Sequence, residues 1–293
     1  MSLIEKAVER LDELHPKVTG ADSSVQQELR PSFTEIREQR FGGSPVKSGP
    51  ATANEVTLDL VKLHASGIVT PDQPKTLVAE EFRVVKRPLL TNVTNPAAPI
   101  RNSNLIMVTS SLPGEGKSFT AANLAISIAM ELDRTVLLVD ADVARPSLPR
   151  LMGFSEDRGL LDILQDKTLR LSDVLLKTNI PKLSILPAGT RDTQSTELLA
   201  SENMGRLLSE LSKRYPDRII IFDSPPLLLT TEARVLAARM GQIVFVVRAE
   251  ETPQSAVREA LGTIEACPVK LLVLNQARNV ERAAYGYGYG YGY

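Results

Sequence analysis

A chain of 293 residues with 43% hydrophobic and 24% charged residues has ordinary globular composition, which excludes disorder as a whole and allows one large core or two modest ones. Lys plus Arg at 34 against Asp plus Glu at 35 leaves a net charge of -1, so no global field draws the chain to nucleic acid or an anionic membrane, and any anion binding is local. One cysteine, Cys267, and two histidines, His15 and His64, exclude an internal disulfide and a Cys/His zinc cluster, which fits a reduced, cytoplasmic location. Glu5 and Glu9 stand where a signal peptide needs an apolar run, and no apolar stretch approaches the ~18 residues of a membrane span.

Residues 1–14 read as an amphipathic helix, with Ser2 and Glu5 spaced as a capping box and Leu3, Ala7, Leu11 and Leu14 on one face. Residues 15–57, which include Gly42, Gly43, Pro45, Gly49 and Pro50, read as a flexible linker. Residues 58–100 read as a helical adaptor: a helix over 58–66 closed by Gly67, a turn-rich stretch from Thr70 to Pro74, and a helix from Glu80 to Lys86 that stops before Pro88. From 101 to 276 six near-continuous apolar runs, 105–108, 136–139, 183–186, 219–222, 243–247 and 271–274, alternate with segments long enough for crossover helices. That pattern predicts an α/β domain with a doubly wound, mostly parallel sheet, whose ligands bind at the carboxyl ends of its strands. Residues 277–293 read as a disordered tail in which Tyr285, Tyr287, Tyr289, Tyr291 and Tyr293 alternate with glycine.

The first strand of that domain runs into Ser111-Leu112-Pro113-Gly114-Glu115-Gly116-Lys117-Ser118-Phe119 and then a helical segment, Ala121 to Met130. Strand, glycine loop, Lys-Ser and helix are the order that a phosphate cradle requires. Loop N-H groups and the helix N-terminus face the anion, Lys117 meets the β and γ oxygens of ATP, and Ser118 ligates Mg2+. Ser111 replaces the usual leading glycine, and a glycine turn that merely precedes a helix is the structural alternative. The second run ends in Asp140-Ala141-Asp142 followed by Arg145-Pro146, and the fourth in Asp223-Ser224-Pro225-Pro226. Carboxylates at two strand ends beside a phosphate loop supply what Mg·ATP chemistry needs, a metal anchor and a group to orient a nucleophile; alone, each reads equally as a solvated loop acid capping the next segment.

With the tyrosine-rich tail, these motifs resemble those of the bacterial tyrosine autokinases of exopolysaccharide synthesis over roughly residues 75–293, as Walker A, A' and B elements of a P-loop kinase. Val69-Thr70-Pro71 and Glu81-Phe82-Arg83 through Lys86-Arg87-Pro88-Leu89-Leu90, with the residue 2–14 start, resemble more narrowly the autokinases of exosortase-linked polysaccharide loci. The resemblance implies a protein-tyrosine kinase with ATP and Mg2+ as cofactors. Lys117 and Ser118 hold phosphates and Mg2+, Asp140 accepts or orients the tyrosine proton, and Asp142 and Asp223 secure the metal. Glu80, Arg83 and Lys86 match a helix that meets a neighbouring subunit, though their spacing is also that of an i,i+3 ion-pair ladder. Asn275 falls where related ATPases contact adenine, or it is a turn former. Implied partners are further copies in a ring-like homo-oligomer, a membrane co-polymerase activator of the chain-length-determinant type and a tyrosine phosphatase, with no nucleic acid. The protein would be cytoplasmic and peripheral to the inner membrane.

Ala144 stands at a position often basic in the family, and Leu112 where partition and division-site ATPases carry an extra lysine. The tail reads as phosphoacceptors, the phenols exposed and the glycines keeping the backbone pliant; stacking on single-stranded nucleic acid and aromatic self-association are the alternatives. A non-kinase ATPase switch and a silent scaffold of a polysaccharide complex are the rival functions.

Overall fold

The computed structural model describes residues 54–155, 158–214 and 217–277. The expected helix over 1–14, the linker to residue 53 and the tail from 278 lie outside the described residues.

In chain order the elements are β1 (Asn54–Val56), α1 (Leu60–Ala65), α2 (Leu77–Thr94), β2 (Leu105–Ser110), α3 (Lys117–Ala129), β3 (Thr135–Asp140), α4 (Leu148–Met152), α5 (Leu160–Gln165) and α6 (Leu171–Val174). There follow β4 (Leu176–Thr178), β5 (Leu183–Leu186), α7 (Ser195–Ala200), α8 (Glu202–Arg214), β6 (Arg218–Asp223), α9 (Thr231–Ala237), β7 (Gln242–Arg248), α10 (Gln254–Gly262) and β8 (Val269–Asn275). The strands form one sheet in the order β1-β4-β5-β3-β6-β2-β7-β8, parallel at every pairing except β4 with β5. All six apolar runs are strands; the side chains of the inner ones alternate between two cores, while edge strand β8 packs Leu271 and Val273 inward and exposes Leu272 and Leu274. Leu105, Met107, Leu137, Val139, Ile220, Phe222, Ile243 and Phe245 face helices α5 and α7 to α10. Ile106, Val108, Val136, Leu138, Ile219, Ile221, Val244 and Val246 face α1 to α4. A period of two with both faces apolar is what burial on both sides demands.

The adaptor packs into the second of these cores through Leu58, Leu63, Ile68, Val69, Ala79, Phe82 and Leu89. Asp59 caps α1 by accepting the Lys62 N-H at 3.1 Å, and Thr76 caps α2 by accepting the Ala79 N-H at 3.2 Å. Two expectations need correction. Helix α2 does not stop before Pro88 but runs to Thr94. Pro88 and Val84, whose carbonyl the missing N-H would have met, both lie on the exposed face, while Ala79, Phe82, Lys86 and Leu89 are buried opposite, so packing outweighs the local cost of ~3 kcal/mol. The linker expected to reach residue 57 ends in β1, which pairs with β4 and is followed by a reciprocal bond, Leu58 N-H to Asn179 Oδ1 at 2.9 Å and Asn179 Nδ2 to the Leu58 carbonyl at 3.0 Å. Each of these strands is three residues long and carries no apolar run.

Helix α3 is buried almost all round, at Thr120 to Ala129, because Ala121, Ala122, Ala125 and Ala129 let the sheet and α2 approach it from two sides. Among the described residues no helix is long and apolar enough to cross a membrane. Leu137, fully buried at the centre of β3, sets the scale of the core. Leu137→Ala should lower unfolding free energy in urea by about 2–5 kcal/mol, and a loss below about 1 kcal/mol would contradict this packing.

Candidate active site

The loop between β2 and α3 crosses the carboxyl edge of the sheet. Gly114 and Gly116 adopt φ of +81° and +93°, a region open to glycine and strained for other residues. Gly116 is also closely approached: a Cβ there would collide with the Asn275 amide. The first intrahelical bond of α3 runs from the Thr120 N-H to the Gly116 carbonyl, so the N-H groups of Lys117, Ser118 and Phe119 have no intrahelical acceptor. They lie at a pocket of about 350 Å³ whose walls include Gly114, Lys117, Ser118, Asp142, Arg145 and Arg150. Pro113 and Gly114 are exposed, and the Lys117 side chain is largely buried. A helix N-terminus with free N-H groups and a lysine in an open pocket is an anion site.

Two carboxylates meet beside it because β3 and β6 pair in register at Asp140 and Asp223. Asp140 is fully buried and accepts the Asp142 N-H at 3.3 Å and the Leu148 N-H at 3.2 Å, so its oxygens hold the β3–α4 loop. Asp142 stands on the pocket wall, half-buried, and accepts the Arg145 N-H at 3.2 Å. Burial pushes its carboxyl pKa up, against the charges of Lys117 and Arg145. Asp223 is fully buried and both its oxygens lack a hydrogen-bond partner. Burial raises its pKa to about 7; the Ser118 hydroxyl and Lys117 oppose the rise and the charge of Asp142 adds to it. A buried carboxylate without donors, beside a hydroxyl and a second carboxylate, is an oxygen-rich arrangement that suits a hard cation, so the residues fit Mg2+.

The end of β6 and the turn after it are clasped to β2, the strand that leads into the phosphate loop. Ser224 donates through its N-H and its hydroxyl to the Val108 carbonyl, at 3.2 and 2.9 Å, and the Leu227 N-H donates to Ser110 at 2.9 Å. Three residues near the site were not singled out from the sequence. Ser147 donates to the Ser118 hydroxyl at 2.6 Å, Arg150 lines the pocket, and the charge of Glu232 at the start of α9 acts on Asp142. Only Ser147 carried a signal, as a candidate cap after Arg145-Pro146.

The remaining expected residues are placed differently from one another. Phe119 borders the pocket but also packs edge-on against Phe82, with centroids 6.4 Å apart. Asn275 donates its amide to the Glu115 carbonyl at 2.9 Å, so this side chain braces the loop. Arg83 pairs with Glu80 and donates to the Pro74 carbonyl at 2.7 Å, which is the i,i+3 pair the spacing allowed. Lys86 is buried: its ammonium meets Glu131 at 2.7 Å and donates to the Ser127 carbonyl at 2.6 Å, pinning α2 to the end of α3. That contact holds the Glu131 carboxyl below its usual range.

A glycine loop after a parallel strand, a lysine at the following helix N-terminus and carboxylates at two neighbouring strand ends define a P-loop nucleotide-binding protein. A family model described as ParA, NUBPL iron-transfer P-loop NTPase, matches residues 101–190. The tyrosine-protein kinase YwqD of Bacillus subtilis (strain 168) is 31% identical over 221 residues, covering 75% of this chain and 90% of that protein. The succinoglycan biosynthesis transport protein ExoP of Rhizobium meliloti (strain 1021) is 30% identical over 237 residues, 79% of this chain but 29% of its own length. The solved BceF tyrosine kinase domain superposes with a TM-score of 0.60 at 28% identity, covering 75% of this chain and 91% of that one. The chain belongs to the bacterial tyrosine-protein kinases, and it is a nucleotide-binding enzyme of that family.

Two outcomes follow from this geometry. Gly116→Ala forces a Cβ into a left-handed position against Asn275 and should weaken Mg·ATP binding at least about tenfold by calorimetry. Affinity within twofold of wild type would contradict it. The second concerns pH, without nucleotide and with a chelator. The raised folded-state pKa of Asp223 means that its contribution to stability is present below the unfolded value near 3.8 and lost as pH rises through about 7. Asp223→Asn should therefore gain melting temperature relative to wild type from pH 4.5 to about 7 and level off above it; a difference independent of pH would refute the assignment.

Proposed function

We propose that this enzyme transfers the γ-phosphoryl of ATP to Tyr285, Tyr287, Tyr289, Tyr291 and Tyr293 of its own chain type, and thereby regulates exopolysaccharide biosynthesis or export. The observation that carries the metal-dependent part is the partnerless, buried Asp223 carboxylate beside Lys117 and Ser118. Bound at Ser118, Asp223 and Asp142, Mg2+ would supply positive charge against the transferring phosphoryl group. Lys117 and the N-H groups at the start of α3 hold the β and γ oxygens and offset the charge that develops on them. Asp140, at the end of β3 beside Asp142, would orient the tyrosine hydroxyl or receive its proton, while Asp142 and Asp223 secure the metal. Asp140 keeps Asp142 in position through the backbone bonds of the β3–α4 loop.

The 19 residues after Leu274, if fully extended, would span roughly 60 Å, a length that permits entry to the site of a neighbouring subunit. Phosphorylation then passes between subunits of a ring-like homo-oligomer, contacts being made through the α2 face that bears Glu80 and Arg83. Five phosphotyrosines add roughly -8 to -10 in charge per subunit, which drives the copies apart until a tyrosine phosphatase resets them. The likeness to ExoP, a succinoglycan biosynthesis transport protein, supports a place in polysaccharide transport, where the enzyme would sit beside a membrane polysaccharide co-polymerase that activates it at the inner membrane.

Lys117→Met should abolish tail phosphorylation, read by mass spectrometry of the C-terminal peptide, while melting temperature stays within a few degrees of wild type. Mixed with an active copy lacking residues 278–293, the Lys117→Met chain should become phosphorylated. Full self-labelling by the variant alone would overturn the kinase site, and an unlabelled chain in the mixture would overturn transfer between subunits.

A further inference from the structure

Glu115 lies between the two left-handed glycines of the phosphate loop, yet it is 2% exposed and does not line the phosphate pocket. A carboxylate so placed needs donors, and it has three. One oxygen accepts the Leu112 N-H at 2.5 Å, within the loop itself. The other accepts the Thr252 hydroxyl and the Arg248 N-H at 3.4 Å, both from the turn that joins β7 to α10. Its main-chain carbonyl receives the Asn275 amide from the end of β8.

The turn is itself closed and fixed. Arg248 donates its N-H to the Thr252 hydroxyl at 3.2 Å, the Thr252 N-H returns to the Arg248 carbonyl at 3.1 Å, and the Arg248 guanidinium meets Glu251 at 2.7 Å. The Ala249 N-H donates to the Asn275 carbonyl at 2.9 Å, joining turn and strand. The loop, by contrast, carries two glycines and exposes Pro113 and Gly114, so ordering it at the moment of binding would cost conformational entropy.

We propose that Glu115 is a positioning residue that holds the phosphate loop in its anion-receiving conformation before nucleotide arrives, by locking it to the Arg248–Thr252 turn and to Asn275. The inference rests on the nucleotide site described above and adds to it a second element, the β7–α10 turn, on which affinity depends. A lock of this kind acts on the fraction of molecules ready to bind, and hence on Kd and KM. Bound nucleotide itself orders the loop, so kcat at saturation is little changed.

The test is titration of the full chain with Mg·ADP by calorimetry, alongside tail phosphorylation over a range of ATP concentrations. Glu115→Ala should weaken Mg·ADP about tenfold and Thr252→Val about threefold, each raising KM for ATP with kcat within about twofold of wild type. Glu115→Gln, which keeps one acceptor oxygen but turns an amino group toward a donor, should fall between wild type and alanine. The double variant Glu115→Ala, Thr252→Val should bind no more weakly than Glu115→Ala alone, since one lock is removed. The proposal is overturned if folded Glu115→Ala binds Mg·ADP within twofold of wild type, if kcat falls while Kd holds, or if the two single effects multiply. Should Glu115→Ala fail to fold, Thr252→Val decides: a threefold loss supports the lock and unchanged affinity refutes it. Wild-type chain that binds Mg·ADP without forming phosphotyrosine would refute the kinase reading, and the Kd comparison would still decide this one.

Discussion

The site depends on a charge held where no protein donor satisfies it. Asp223 ends β6 at the level of Asp140 on β3, one strand from the start of the phosphate loop, and its carboxylate is fully buried without a hydrogen bond. Leaving such a group unpaired costs free energy, and the fold supplies only the nearby Lys117 charge and Ser118 hydroxyl against it. A cation and a polyphosphate between Asp142, Ser118 and Lys117 would complete the arrangement. The carboxylate that costs the fold stability would in that case be a source of affinity for Mg·ATP.

The segments around that carboxylate are held by side-chain and backbone hydrogen bonds, several of them between residues far apart in sequence. Ser224 and Leu227 fasten the β6 end to β2, Asp140 fastens the β3–α4 loop, and Asn275 and Glu115 fasten the phosphate loop to β8 and the β7–α10 turn. On the opposite face of α3, Lys86 ties the α2 helix to the carbonyl end of the helix whose amino end receives phosphate.

The inner strands and the loop were legible in the sequence because burial on both faces writes itself as unbroken apolar runs and because a phosphate cradle needs glycine and lysine at fixed spacing; β8 reads the same way although Leu272 and Leu274 are exposed at the sheet edge. What the sequence did not disclose was decided by tertiary contact. Strands β1 and β4 are three residues each and exist through pairing and the Leu58–Asn179 bonds, with no periodicity of their own. Pro88 signals a helix end locally, but a buried stripe from Ala79 to Leu89 carries α2 past it. Lys86 reads as a surface cation until Glu131 and Ser127, more than forty residues away, are brought against it. Glu115 reads as a loop filler for the same reason: its partners at 248 and 252 are distant in sequence.

The central claim, that this P-loop serves phosphoryl transfer to the chain's own tyrosines, is tested most directly by incubating two proteins with radiolabelled Mg·ATP. One is the natural sequence and the other carries phenylalanine at 285, 287, 289, 291 and 293. Label stable to acid should appear on tyrosine in the first and be absent from the second, while both bind Mg·ATP with equal affinity. Equal incorporation into the two proteins, or none into the natural sequence, would contradict the account.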